Sequence, residues 1–156
     1  MLEPKPRVLV LCTGNSCRSQ MAAAYLRSLS GDRLEVSSAG TEPAASVHPL
    51  AVEVMAEDGL DLASYRPQDY RPFLTAERID YLIVVCDGAA RACPASWPGV
   101  ENRLSWPFED PAAFVGPPAE TIDRFRRVRD EIKERTLRWL ASMDETLSPR
   151  VPAQVS

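Results

Sequence analysis

The sequence predicts an α/β domain: a four-stranded parallel sheet in the order 2-1-3-4, flanked by helices on both faces as three layers. Three observations lead there. Val8–Leu11 and Tyr81–Val85 are short, unbroken apolar runs, as expected of strands covered on both faces. Strand-like and helix-like segments alternate along the chain, which implies parallel pairing through right-handed crossovers. The order 2-1-3-4 is the economical layout for four such strands, and it makes strands one and three neighbours.

The elements follow in order. Val8–Leu11 is the first strand. Met21, Ala22, Tyr25, Leu26 and Leu29 then recur at helical spacing, and Gly31 is a natural stop. Leu34–Ser38 alternates and suits an outer strand. Pro49–Ala56 reads as a helix ended by Gly59, with His48 as its entry residue. Tyr81–Val85 is the second central strand, and Val100–Leu104 supplies the fourth. Between Pro118 and Met143, Ile122, Phe125, Val128, Ile132, Trp139 and Leu140 mark one long amphipathic helix. The tail from Ser148 contains two prolines and is expected to be loose.

A chain of 156 residues is long enough for one hydrophobic core, so residues 1–156 are read as a single catalytic domain with its core at about 7–143. With 45% hydrophobic and 26% charged residues it is globular. A formal charge of −4 argues against a nucleic-acid surface, so anion affinity must come from a local site. No apolar run reaches membrane-spanning length, and the first seven residues lack the apolar stretch of a secretory signal. A cytoplasmic location is expected, where four cysteines point to catalysis, redox chemistry or metal binding before structural disulfides.

The most informative segment is Cys12-Thr-Gly-Asn-Ser-Cys-Arg-Ser19, directly after the first strand. A short loop between strand and helix can wrap backbone N–H groups around a tetrahedral oxyanion, with the helix N-terminus facing it. Thr13, Gly14, Asn15, Ser16, Cys17 and Arg18 are the candidate binding residues. Arg18 adds a planar fork of donors. Cys12, at the base, is expected to be a thiolate nucleophile favoured by cationic surroundings, with Ser19 in reach of its sulfur. Gly14 offers backbone freedom and Asn15 a left-handed position. A buried structural cysteine before an ordinary turn is the bland alternative, which so much matching chemistry in one loop disfavours.

Two further groups bear on function. Cys86 ends the third strand, and ligands in such sheets sit beyond the carboxyl ends of the strands at the switch between neighbours. Topology therefore brings Cys86 to the crevice of Cys12. Cys93 follows after six residues. If that segment were helical, the α-carbons would lie about 10 Å apart, whereas a disulfide needs roughly 4.4–6.8 Å. The pair could close only by unwinding, which Gly88 eases, so it reads as a redox switch. Two unrelated core cysteines remain open as a reading, and zinc would ordinarily use tighter spacing. Last, Asp110 in Trp106-Pro-Phe-Glu-Asp-Pro111 is either a proton donor beside the anion loop or only a turn residue.

Taken together, Cys12-Thr-Gly-Asn-Ser-Cys-Arg-Ser-Gln-Met-Ala22, Ser38-Ala-Gly40, Cys86-x6-Cys93-Pro94 and Asp110-Pro111 resemble the thioredoxin-coupled arsenate reductases. Those enzymes share their fold with the low-molecular-weight protein tyrosine phosphatases. The likeness runs from about Arg7 to Leu140, and the second cysteine pair points to the reductases. It implies a relay in which Cys12 attacks arsenate held by Arg18 and the loop, Ser19 stabilises the thiolate and Asp110 protonates the departing oxygen. Cys86 then attacks Cys12, arsenite leaves, Cys93 attacks Cys86, and thioredoxin reduces the Cys86–Cys93 disulfide. Phosphate or sulfate would compete as anions, no bound cofactor is implied, and a monomer is expected. In many relatives a potassium ion sits near the loop. Asn15, Ser38 and Asp69 match its ligands, but Ala23 replaces the fourth, a glutamate. Pro107 also stands where a glycine is common, and Cys17 is read as lying outside the relay. The alternative function is a tyrosine phosphatase using Cys12, Arg18 and Asp110, against which Ala112 and Ala113 stand where that group usually carries tyrosines. A non-enzymatic oxyanion sensor would leave the acid–nucleophile–arginine set unused.

Overall fold

The computed structural model describes residues 5–75, 78–86 and 96–147. Its elements are β1 (Arg7–Cys12), α1 (Arg18–Ser30), β2 (Glu35–Gly40), α2 (Pro49–Glu57), β3 (Ile79–Val84), β4 (Val100–Ser105) and α3 (Pro118–Leu147), with 3₁₀ turns at Arg71–Thr75 and Pro111–Ala113. The strands pair in parallel in the order β2-β1-β3-β4, as the sequence predicts. Cys93, Gly88 and Pro94, the spacing argument built on them, and the tail from Ser148 lie outside the described residues.

β1 is central because Val8 to Leu11 bury on both faces. β4 is an edge strand whose middle residues face solvent, and this is why its apolar pattern is thin. β3 starts two residues before the predicted Tyr81, since Ile79 pairs with Val100. Val85 falls past its end but still donates to Leu11 O. β2 runs on to Gly40 because each of its residues from Glu35 pairs with β1.

α1 lies over β1 and β2, burying Met21, Tyr25, Leu26 and the small residues Ala22–Ala24, and Gly31 closes it in the left-handed conformation (φ 58°). α3 packs beside it with Phe125, Val128, Ile132 and Leu140 inward. Trp139 meets Tyr81 and Trp106 edge-on, at 5.0 and 5.7 Å between ring centres. α2 starts at Pro49 behind His48, whose Nδ1 accepts from Leu50 N at 3.1 Å while its ring packs on Phe125. His48 is thus a helix-entry residue. The carboxyl ends of β1 and β3, the N-terminus of α1 and residues 40–48 converge on one crevice.

Candidate active site

The loop from Cys12 to Cys17 is shaped by where its carbonyls go. Thr41 N donates to Cys12 O (3.1 Å), Glu42 N to Thr13 O (2.8 Å), Ala44 N to Gly14 O (2.9 Å) and His48 N to Ser16 O (2.8 Å). Gln20 Nε2 takes Asn15 O at 3.0 Å, and Met21 N takes Cys17 O at 2.9 Å. With its carbonyls taken by these partners, the loop turns the Asn15 amide in toward Cys12 Sγ at 3.2 Å, the kind of inward N–H an oxyanion site uses. Cys17 is the N-cap of α1 and makes no side-chain cap bond, so the first amides of the helix stay unclaimed by a cap.

Asn15 has φ 52°, the left-handed position foreseen for it. Gly14 is different. Its φ is not positive, and a Cβ there would meet nothing nearer than Ser16 Oγ at 3.5 Å. The freedom expected of Gly14 is not used. Gly40 is the glycine the site requires, because a Cβ on it would stand 2.5 Å from Thr13 O, where the strap crosses the loop.

Asn15 is also the hub of a buried network. Its Nδ2 donates to Ser19 Oγ (2.8 Å) and Ser38 Oγ (3.0 Å). Its Oδ1 accepts from Gln68 N (2.9 Å) and Gln20 Nε2 (3.2 Å). Ser19 Oγ in turn lies 3.0 Å from Cys12 Sγ, and Asn15 N donates to that sulfur at 3.2 Å. The potassium positions do not fit a cation here. Asn15 and Ser38 spend these oxygens on internal hydrogen bonds, and Ala23 offers no ligand. The carboxylate of Asp69 accepts from Arg71 N, Nε and Nη2 within 2.9 Å. Among the described residues Gln20 Oε1 is buried without a partner, one carbonyl oxygen where a potassium shell needs several.

Cys86 reaches the crevice from β3. Its sulfur lies 3.4 Å from Thr13 Oγ1, beside Cys12. The neighbouring Cys86 thiol and then burial push Cys12 above the usual thiol range, against the lowering effect of Ser19 and Asn15 N–H. The cationic stabilisation expected of the loop is thus not acting on the sulfur. The reason is the direction of Arg18. Its Nη1 donates to Phe108 O at 3.0 Å and its Nη2 lies 3.6 Å from Asp110 Oδ2, so its charge is turned to the acid loop. Burial pushes the Cys17 thiol up to about 12, with Asp110 adding to it.

Asp110 lies beside the anion loop. Its Oδ1 accepts from Ala112 N (3.0 Å), capping the 3₁₀ turn, while Oδ2 faces Arg18 at the loop's mouth. Sequence reasoning missed the strap 41–48, Gln20 and Gln68. Only Gly40, in the Ser-Ala-Gly anchor, hinted at the first of these.

A doubly wound sheet, an anion loop closed by an arginine and two thiols at adjoining strand ends define a cysteine-based oxyanion enzyme. The family model for low molecular weight phosphotyrosine protein phosphatase matches residues 7–149, and the chain belongs to that family. Among its relatives is an arsenate reductase of Halalkalibacterium halodurans, 43% identical over 131 residues, which are 84% of this chain and 92% of that protein. A solved arsenate reductase in the phosphate binding state superposes with TM-score 0.72 at 32% identity, covering 88% of this chain and 98% of that one. A Corynebacterium glutamicum thioredoxin-dependent arsenate reductase superposes with TM-score 0.67 at 29% identity, covering 94% of this chain and 65% of that one.

Proposed function

We propose that this chain is an arsenate reductase, a single catalytic domain drawing electrons from thioredoxin through Cys12, Cys86 and Cys93. One observation carries the reading: Cys12 ends β1, Cys86 follows the neighbouring β3, and the Cys86 sulfur lies 3.4 Å from Oγ1 of Thr13, the residue next to Cys12. A phosphatase needs only the first of these cysteines. Relatives named arsenate reductase at about two-fifths identity support the substrate, and the thioredoxin-dependent neighbour supports the electron donor.

In this mechanism arsenate enters the loop and Arg18 leaves Phe108 O to fork onto its oxygens. The anion's approach brings that positive charge next to Cys12, whose proton passes to an oxygen of the bound arsenate. Cys12 sulfur attacks arsenic, an S–As bond forms, and an oxygen leaves as water with the proton of Asp110. Cys86 thiolate attacks Cys12 sulfur. An S–S bond forms, the S–As electron pair stays on arsenic, and arsenic(V) departs as arsenite, arsenic(III). Cys93 attacks Cys86, returning Cys12 as thiolate and leaving the Cys86–Cys93 disulfide. The two thiols of thioredoxin reduce it and become its own disulfide. Phosphate and sulfate compete for the loop, and slow hydrolysis of small aryl phosphates accompanies the main reaction. Potassium takes no part. Its place in this reading is the cytoplasm, as a monomer; among the described residues no helix is long and apolar enough to cross a membrane.

The test is arsenate-dependent NADPH oxidation with thioredoxin and thioredoxin reductase. Cys12→Ser abolishes both arsenate turnover and aryl phosphate hydrolysis. Cys86→Ser and Cys93→Ser each stop arsenate turnover and spare the hydrolysis. Arsenate turnover at the parent rate in Cys86→Ser would refute the relay.

A further inference from the structure

Asp110 sits on a loop that is held from one side chain of α3. Arg124 Nη1 donates to Glu109 Oε2 at 2.6 Å, and the guanidinium carbon stands 4.3 Å from the centre of the Phe114 ring. These two contacts fall on either side of Asp110 and its 3₁₀ turn Pro111–Ala113. Pro111 is buried, and Phe114 folds back over Gly116, where a Cβ would lie 2.6 Å from the ring. Thr121 Oγ1 donates to Pro117 O at 3.0 Å and draws the far end of the loop onto the start of α3.

We infer that Arg124 is a positioning residue for Asp110, clamping the acid loop between Glu109 and Phe114 so that the carboxyl stays beside Arg18. The inference rests on the proposed role of Asp110 as proton donor. Each contact is partly exposed and modest by itself. Together they restrain the two segments that flank the acid and tie them to a long, well-packed helix. Only arginine satisfies both, since one planar group forks to a carboxylate and stacks on a ring. A proton donor is sensitive to such restraint, because a small misplacement takes its proton out of reach of the leaving oxygen.

Stopped-flow measurement of free-thiol loss in a single turnover, with the full-length protein and saturating arsenate, tests this. Arg124→Ala slows the step on the order of 10-fold. Arg124→Lys recovers part of the rate, because an ammonium keeps the ion pair and loses the planar stack. Glu109→Gln slows it less than Arg124→Ala. In an Asp110→Asn background neither Arg124→Ala nor Glu109→Gln slows the step further, since no acid is left to position. If Arg124→Ala runs at the parent rate, or its loss multiplies that of Asp110→Asn, the clamp is wrong and the role of Asp110 stands. If Asp110→Asn itself runs at the parent rate, both fall. Should Arg124→Ala not fold, Glu109→Gln alone and paired with Asp110→Asn gives the same decision.

Discussion

At the scale of single residues, Cys12 shows how a neighbour can outweigh a loop. Its thiol is raised first by the neighbouring Cys86 thiol and then by burial. Cys86→Ala removes the larger cause, so at neutral pH Cys12 should be alkylated by iodoacetamide faster than in the parent, with the site mapped by mass spectrometry. An unchanged or slower rate would show that Cys86 does not hold the proton in place. Cys17, pushed up to about 12 by burial, should stay unmodified under the same conditions. Asp110→Asn should slow arsenate turnover on the order of 10²–10⁴-fold if the carboxyl is the proton donor. Arsenate turnover by Asp110→Asn at the parent rate would speak against the assignment.

Among elements, the anion loop depends on the strap that crosses it. Residues 41–48 give four N–H groups to loop carbonyls, and this lacing works only because Gly40 lets the two backbones touch. Gly40→Ala forces a backbone contact apart, at a cost of about 1–3 kcal/mol. It should lower the melting temperature and weaken phosphate binding by calorimetry. Gly14→Ala, facing open contacts, should do far less to either. Equal effects of the two would contradict the strap. The octet Cys12–Ser19 was legible as a turn from β1 into α1 because strand, turn and helix follow one another locally. Its shape was not legible, since the strap belongs to a different part of the chain.

For the molecule as a whole, a charged clasp joins α2 to α3. Arg126 and Arg129 hold the Glu57 carboxyl well below its ordinary 4.5, at about 2. Tyr25 and then Lys133 lower Asp58 in the same way. A depressed carboxyl contributes stability above its unfolded value and loses it as pH falls through its folded one. The melting temperature should therefore decline between about pH 4.5 and pH 2, and Glu57→Gln should flatten part of that decline. A parallel curve for the variant would remove Glu57 from the clasp. Glu57 and Asp58 are exposed and Arg126 and Lys133 partly so, so high salt should narrow the difference.

Local pattern and topology were enough for the sequence by itself to determine the sheet, its strand order, the turn from β1 into α1 and the approach of Cys86 to that turn. Buried strands, helical spacing and a loop's residue order are short-range properties, and parallel connectivity leaves few layouts. The tertiary structure alone decided which glycine the loop needs, that Asn15 is held by Gln20 and Gln68, that Arg18 turns to Phe108 and Asp110, and that Arg124 grips the acid loop. Several of these contacts join residues 15 to 90 positions apart, and no periodicity records them. They exist only once the packed core has brought the elements together.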